Sequence, residues 1–127
     1  MLFDTDVLIW ALRGSMKAAQ EINNDANRFI SAVSYMELMQ GARNKQEQTQ
    51  IKRFLNELGF IVLPISEVVS HRATVFIEEY TLKSGMQLAD ALVFATACEN
   101  ALTLCSANKK HFCNLDSLDA KVFVPDN

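Results

Sequence analysis

The stretch "MLFDTDVLIWALRG", Met1 to Gly14, decides the fold. A few apolar residues run into Asp4, and a second acid, Asp6, follows after Thr5. "VLIWALR" then places apolar residues at helical spacing until Gly14 closes it. A short apolar strand that turns at once into a helix is the first step of an α/β unit, and the same grammar repeats along the chain. "KAAQEIN" reads as a second helix, "RFIS" as a strand, and "SYMELMQGAR" as a helix with Gly41 near its end. "EQTQIKRFLNELG" is amphipathic, with Ile51, Phe54, Leu55 and Leu58 on one face. "FIVLPI" is a strand interrupted by Pro64. "SEVVSHRATVFIEEYTLKSG" is a long helix capped by Ser66 and ended near Gly85. "LADALVFATACEN" is a helix, "ALTLCS" a strand, and "AKVFVP" a last strand, placed near a sheet edge by Pro125.

Short apolar strands separated by helices pair in parallel, so the expected fold is α/β with helices on both faces of the sheet. Sites in such sheets form at the carboxyl ends of the strands, where strand order reverses. Asp4 stands at that end of the first strand, Glu37 shortly after the second, and "CSANKKH" leaves a later one. The topology therefore gathers acids that are far apart in sequence.

At 127 residues the chain is expected to form one domain with a core of its own. Half of the residues are hydrophobic and 21% are charged, and only 4 Gly and 2 Pro occur, which argues for long regular elements over disorder. A net charge of −3 is not that of a protein that coats nucleic acid. It leaves room for an enzyme acting on nucleic acid, because a bound divalent cation inverts the charge of a carboxylate cluster. The three cysteines lack the spacing of a disulfide framework or a zinc site. Cys98 and Cys105 read as small core residues and Cys113 as a more exposed loop residue. With no leader and no long apolar run, the expected setting is a reducing cytoplasm without a membrane span.

Taken singly, the acids have ordinary explanations. Asp6, beside Thr5, reads best as the N-cap of the first helix. Asp4 is open between a turn residue and a site residue. Glu37 falls in "SYME", the S-x-x-E pattern of a capping box with Ser34. Asp90 resists such a reading. It sits in a helix that is apolar on nearly every face, with no basic residue within a turn, where a lone carboxylate is costly unless paired, capping the first turn or bound to metal. Together Asp4, Glu37 and Asp90 suit a hard divalent cation, Mg²⁺ or Mn²⁺, which can polarise a phosphoryl oxygen and activate a bound water. Without metal, such a cluster repels itself and one carboxyl should hold a proton.

The segments "DTDVLIW", "SYMELMQGAR", "LADALVFATA" and "LTLCSANKKHF" stand in the order and spacing of the PIN-domain family. The chain resembles above all the bacterial VapC-type toxins of toxin–antitoxin pairs, from Asp4 to Phe112. The resemblance implies a three-layer α/β/α sandwich with a mainly parallel central sheet, forming one PIN-like domain over residues 1–127. It implies a Mg²⁺- or Mn²⁺-dependent endoribonuclease, a cognate VapB-like antitoxin that covers the active groove, and a homodimer. By position the family's first three acids correspond to Asp4, Glu37 and Asp90, and Thr5 matches a common hydroxyl beside the first.

Where many members carry a fourth acid, this chain reads Ser106, Ala107, Asn108, Lys109, Lys110, His111. Ser106 and Asn108 are supporting residues, Asn108 as an uncharged ligand or a water-orienting amide, and Asp6 adds charge if it turns inward. One tightly held metal and a second recruited by substrate are expected. Lys110, His111 and Arg43 are candidates for RNA contact, although Lys110 and His111 read more often as polar loop residues and Arg43 as part of a solvated face. Trp10, Tyr35 and Met39 are expected to pack in a core or a subunit contact.

Two other functions compete. "DTDVL" is also similar to the D-x-D strand end of haloacid-dehalogenase-type phosphatases, with Asp4 as nucleophile, but the later Lys and acidic pair that family needs are not evident. A PIN-fold interaction module without activity is the other, suggested by the uncharged Asn108.

Overall fold

The structure, a computed structural model, describes residues 1–125. Five short strands form one parallel sheet: β1 (Leu2–Phe3), β2 (Phe29–Ser31), β3 (Ile61–Leu63), β4 (Leu104–Ser106) and β5 (Ala120–Val122), in the order β3-β2-β1-β4-β5. The chain builds outward from β1 to β3, then crosses over to β4 on the other side of β1. Strand order thus reverses between β1 and β4, where parallel sheets open a crevice at their carboxyl ends.

Side-chain alternation assigns the two faces. Leu2 and its register partner Leu104 enter one core with Phe29 and Leu63, while Phe3 and its partner Cys105 enter the other with Ile30. The first core is closed by α5 (Glu67–Ser84) and α6 (Leu88–Glu99), and the second by α1 (Thr5–Leu12), α2 (Met16–Asn23) and α4 (Lys45–Glu57). Between them α3 (Ala32–Gly41) sends Val33 into the first core and Leu38 into the second. This is the expected α/β/α sandwich. The expected burial of α6 is also seen: Ala91, Val93, Phe94, Ala95, Thr96 and Ala97 are all buried, and the Thr96 hydroxyl donates to Leu92 O. Cys105 is buried and Cys113 exposed. Trp10, Tyr35 and Met39 pack against the second core. None of the helices among the described residues is long and apolar enough to cross a membrane.

The helix starts carry their caps. Ser15, Ser31, Asn44 and Ser66 each accept the amide three residues on. Gly85 ends α5 in the left-handed conformation, with φ 71°. Arg28, just before β2, binds two helix ends together, donating from Nε to Ile22 O at 2.7 Å and from Nη1 to Leu58 O at 2.8 Å.

Three local expectations are corrected. Asp6 is not the N-cap of α1. That position belongs to Asp4, whose Oδ1 accepts the Thr5 amide, and Asp6 lies inside the first turn. Ser34 and Glu37 form no capping box, because Ser31 caps α3 and takes the Ser34 amide, which makes Ser34 the third residue and Glu37 the sixth. The segment after β4, read as a loop, contains a single helical turn, α7 (Lys109–Phe112), whose Phe112 reaches the first core.

Candidate active site

A cleft of about 430 Å³ opens at the carboxyl ends of β1 and β4. Asp4, Asp6, Glu37 and Asp90 all line it, with Thr5 and Asn108 between them. Ile9, Ala89 and Val93 supply its apolar wall, and no Lys or Arg is among the lining residues.

Each acid reaches the cleft by a different route. Asp4 follows β1 directly. Its Oδ2 accepts from Ser106 Oγ at 2.7 Å, at the end of β4, and Ser106 in turn accepts the Asn108 amide at 3.0 Å. Asp6 is tied to the same loop, with Oδ2 accepting the Ala107 amide at 3.0 Å and Oδ1 the Val7 amide at 2.7 Å. Asp90 is the third residue of α6, where its Oδ2 accepts the Gln87 amide at 3.2 Å. Asn108 Nδ2 donates to its Oδ1 at 3.1 Å, and His111 Nε2 lies 4.0 Å from Oδ2. Glu37, on α3, accepts the Thr5 hydroxyl at 2.7 Å.

The electrostatics follow from this crowding. Burial, followed by the Asp6 charge, pushes the Asp4 carboxyl up to about 7, against the opposing pull of the Ser106 hydroxyl and the Thr5 amide. Burial also raises Asp6, and the Ala107 and Val7 amides hold it back. These carboxylates lack a cationic partner in the lining. A hard divalent cation fits the oxygen-only donor set. The fit is that of an open site: among the described residues no three His, Cys, Asp or Glu side chains form a ready-made cage. An ion that retains several waters needs only a few direct carboxylates.

The structure brings Asp4, Thr5, Asp6, Glu37, Asp90 and Asn108 to this one cleft, with Ser106 fastened behind Asp4. His111 stands beside Asp90, its Nδ1 buried and without a hydrogen-bond partner. Lys110 is exposed on α7, outside the lining. Arg43 lies on a neighbouring groove of about 570 Å³ that shares Ile9 and Glu37 with the cleft, and its guanidinium is occupied by Glu47 at 2.7 Å. Sequence reasoning missed Ser31 and Ser34 as partners behind Thr5, and the Gln87 amide behind Asp90. The S-x-x-S spacing of the serines was the available signal.

The PIN domain family profile matches residues 1–118. Among solved structures, the chain is similar to a toxin–antitoxin complex from Klebsiella pneumoniae, with 31% identity over 92% of this chain and 93% of that one and a TM-score of 0.76. It is also similar in fold to VapBC2 from Rickettsia felis bound to a promoter DNA fragment, at 19% identity, 97% and 98% coverage and a TM-score of 0.83. FitAcB from Neisseria gonorrhoeae aligns at 22% identity, 94% coverage of each chain and a TM-score of 0.74. No curated protein sequence matches this chain. The profile spans strands β1 to β4 and every acid of the cleft, and the chain belongs to the PIN-domain family.

Proposed function

We propose that this protein is a divalent-metal-dependent endoribonuclease, the VapC-like toxin of a toxin–antitoxin pair, acting in the cytoplasm. One observation carries the reading: four carboxylates converge on a cleft that has no Lys or Arg in its lining, at the point where strand order reverses. PIN membership and the toxin–antitoxin complexes among the similar structures support it.

Asp4, Asp90 and Glu37 are the residues that would hold Mg²⁺ or Mn²⁺, with Asp6 adding negative field. Such an ion, when bound, supplies Lewis-acid polarisation of a phosphoryl oxygen and a water acidic enough to attack it. The chain's own residues do the positioning. Ser106 and the Thr5 amide fix both oxygens of Asp4. Asn108 orients Asp90 through its amide nitrogen, and its carbonyl is a further neutral donor. Ile9 and Val93 give the cleft an apolar wall beside the carboxylates. Lys110 and His111, on the turn beside Asp90, are the candidates for contact with RNA phosphates.

A VapB-like antitoxin is the proposed partner, and the groove beside the cleft, walled by Ile9, Leu12, Leu38 and Ile51, offers apolar surface for it. A homodimer is the proposed assembly. The dehalogenase-type reading needs a Lys in the cleft, and none lines it.

The test is RNA cleavage by wild type and Asp90→Asn, with and without chelator, beside Mn²⁺ calorimetry. Cleavage that needs added metal and is lost in Asp90→Asn supports the reading. Undiminished cleavage by a metal-stripped preparation overturns it, and a wild type that binds no Mn²⁺ favours an inactive interaction module.

A further inference from the structure

Behind Glu37 lies a chain of three hydroxyls. Thr5 Oγ1 is 2.7 Å from Glu37 Oε1 and 2.8 Å from Ser34 Oγ, and Ser34 Oγ is 3.2 Å from Ser31 Oγ. Counting protons fixes its direction. An ionised carboxylate only accepts, so Thr5 must spend its single proton on Glu37. The contact with Ser34 then requires Ser34 to donate to Thr5, and the contact with Ser31 requires Ser31 to donate to Ser34. All three hydroxyl dipoles point toward Glu37. Ser31 and Ser34 are fully buried, at 0% exposure, so water does not compete for these bonds. Aligned hydrogen bonds away from solvent polarise and strengthen one another.

Glu37 itself is exposed, on a flexible stem. Thr5 is the one protein donor to its carboxylate among the described residues. We infer that Ser31 and Ser34 are positioning residues for Glu37. Through Thr5 they hold Oε1 in place, so that the carboxylate is already oriented when a divalent ion arrives. This rests on the reading of Glu37 as a metal ligand given above.

The substitution Ser34→Ala removes the middle of the relay and spares the helix cap, because Ser31 Oγ accepts the backbone amide of residue 34 and not its hydroxyl. The experiment is Mn²⁺ titration calorimetry on the full chain for wild type, Ser34→Ala, Glu37→Gln and the double variant, with thermal unfolding of each. Ser34→Ala is expected to weaken Mn²⁺ binding about tenfold, as for other residues that orient metal ligands. On the Glu37→Gln background it should change nothing further, the mark of two residues acting as one unit.

At Thr5, which is not fully buried, Thr5→Ser should bind like wild type and Thr5→Val like Ser34→Ala. That comparison still decides if Ser34→Ala fails to fold. Unchanged binding in Ser34→Ala and Thr5→Val, or losses from Ser34→Ala and Glu37→Gln that multiply in the double variant, overturns the inference while leaving the metal reading intact. A wild type that binds no Mn²⁺ overturns both.

Discussion

Ser106 Oγ donates to Asp4 Oδ2 at 2.7 Å, joining the ends of β4 and β1 across the point where strand order reverses. That bond stabilises the ionised form of a carboxyl that burial and Asp6, even against this pull, push up to about 7. Ser106→Ala should therefore raise Asp4 further. At pH 7 more of the protein then carries a proton where a metal must bind, and proton and metal compete. Mn²⁺ affinity should fall several-fold at pH 7 and recover toward wild type at pH 8.5. Calorimetry at the two pH values checks this, and an equal loss at both would assign Ser106 a purely geometric role.

The same shift makes a prediction about stability without metal. Asp4 has a higher pKa folded than its ordinary 3.8, so between pH 4 and 7 the native state binds more protons than the unfolded chain. Stability from this group is fully present below pH 4 and is lost as pH rises toward 7. The loss amounts to a few kcal/mol at most, on the basis of about 1.4 kcal/mol per pH unit. Asp25, whose carboxyl is lowered by the α-amino group of Met1, acts in the opposite sense at low pH. Chelated protein should thus melt at lower temperature at pH 7.5 than at pH 5.5, and Mn²⁺ should abolish the difference. Asp6→Asn should flatten the dependence in chelator, since Asp6 is the second-largest cause of the shift.

How the site could be read in advance varies residue by residue. The place of Asp90 in the cleft was legible because a carboxylate in "LADALVFATAC" stands out among apolar neighbours, although the structure also gives it a local task, accepting the Gln87 amide at the start of α6. The parallel sheet was legible because helices separate its strands. The role of Asp6 was not, because a cap and an inward-turning acid look alike until the Ala107 amide, 101 residues away, is placed beside it. The Ser34–Glu37 pattern misled for a related reason. S-x-x-E signals a cap only when the Ser is the residue before the helix, and Ser31 had already taken that position. Long-range hydrogen bonds decide such cases, and local spacing does not carry them.

Arg28 should be a strong stability determinant away from the cleft. Its guanidinium satisfies carbonyls at the ends of α2 and α4, which a shorter side chain leaves unpaired. Arg28→Ala is expected to cost roughly 2–3 kcal/mol. Arg28→Lys should recover little, since one ammonium does not reproduce the planar fork. Urea unfolding of the three proteins measures this, and a loss within about 0.5 kcal/mol would show that water replaces the guanidinium freely.

Among the described residues Ala101 is the one non-glycine residue with positive φ, at 53°, where the chain leaves α6 and the Leu102 amide returns to Ala97 O at 3.0 Å. An L-residue pays about 1 kcal/mol for this conformation, and glycine does not. Some of that is offset by the greater freedom of glycine in the unfolded chain. Ala101→Gly should raise stability by roughly 0.5 kcal/mol and the melting temperature by a degree or two. Mn²⁺ affinity should be unchanged. A lower melting temperature would mean that the unfolded-state term dominates.

Asn108 offers a test in which two measurements move in opposite directions. Its Nδ2 donates to Asp90 Oδ1 at 3.1 Å. Asn108→Asp replaces that donor with a like charge, in a cleft already lined by four acids. Without metal the repulsion has nothing to offset it, so the variant should melt below wild type in chelator at pH 7.5. With metal the extra carboxylate is a charged oxygen ligand in place of a neutral one, and Mn²⁺ should bind more tightly. Melting temperature in chelator should therefore fall while Mn²⁺ affinity rises. If both fall, Asn108 is needed as the donor that orients Asp90. If neither moves, residue 108 faces away from the ion, and the charge at the cleft rests on Asp4, Asp6, Glu37 and Asp90 alone.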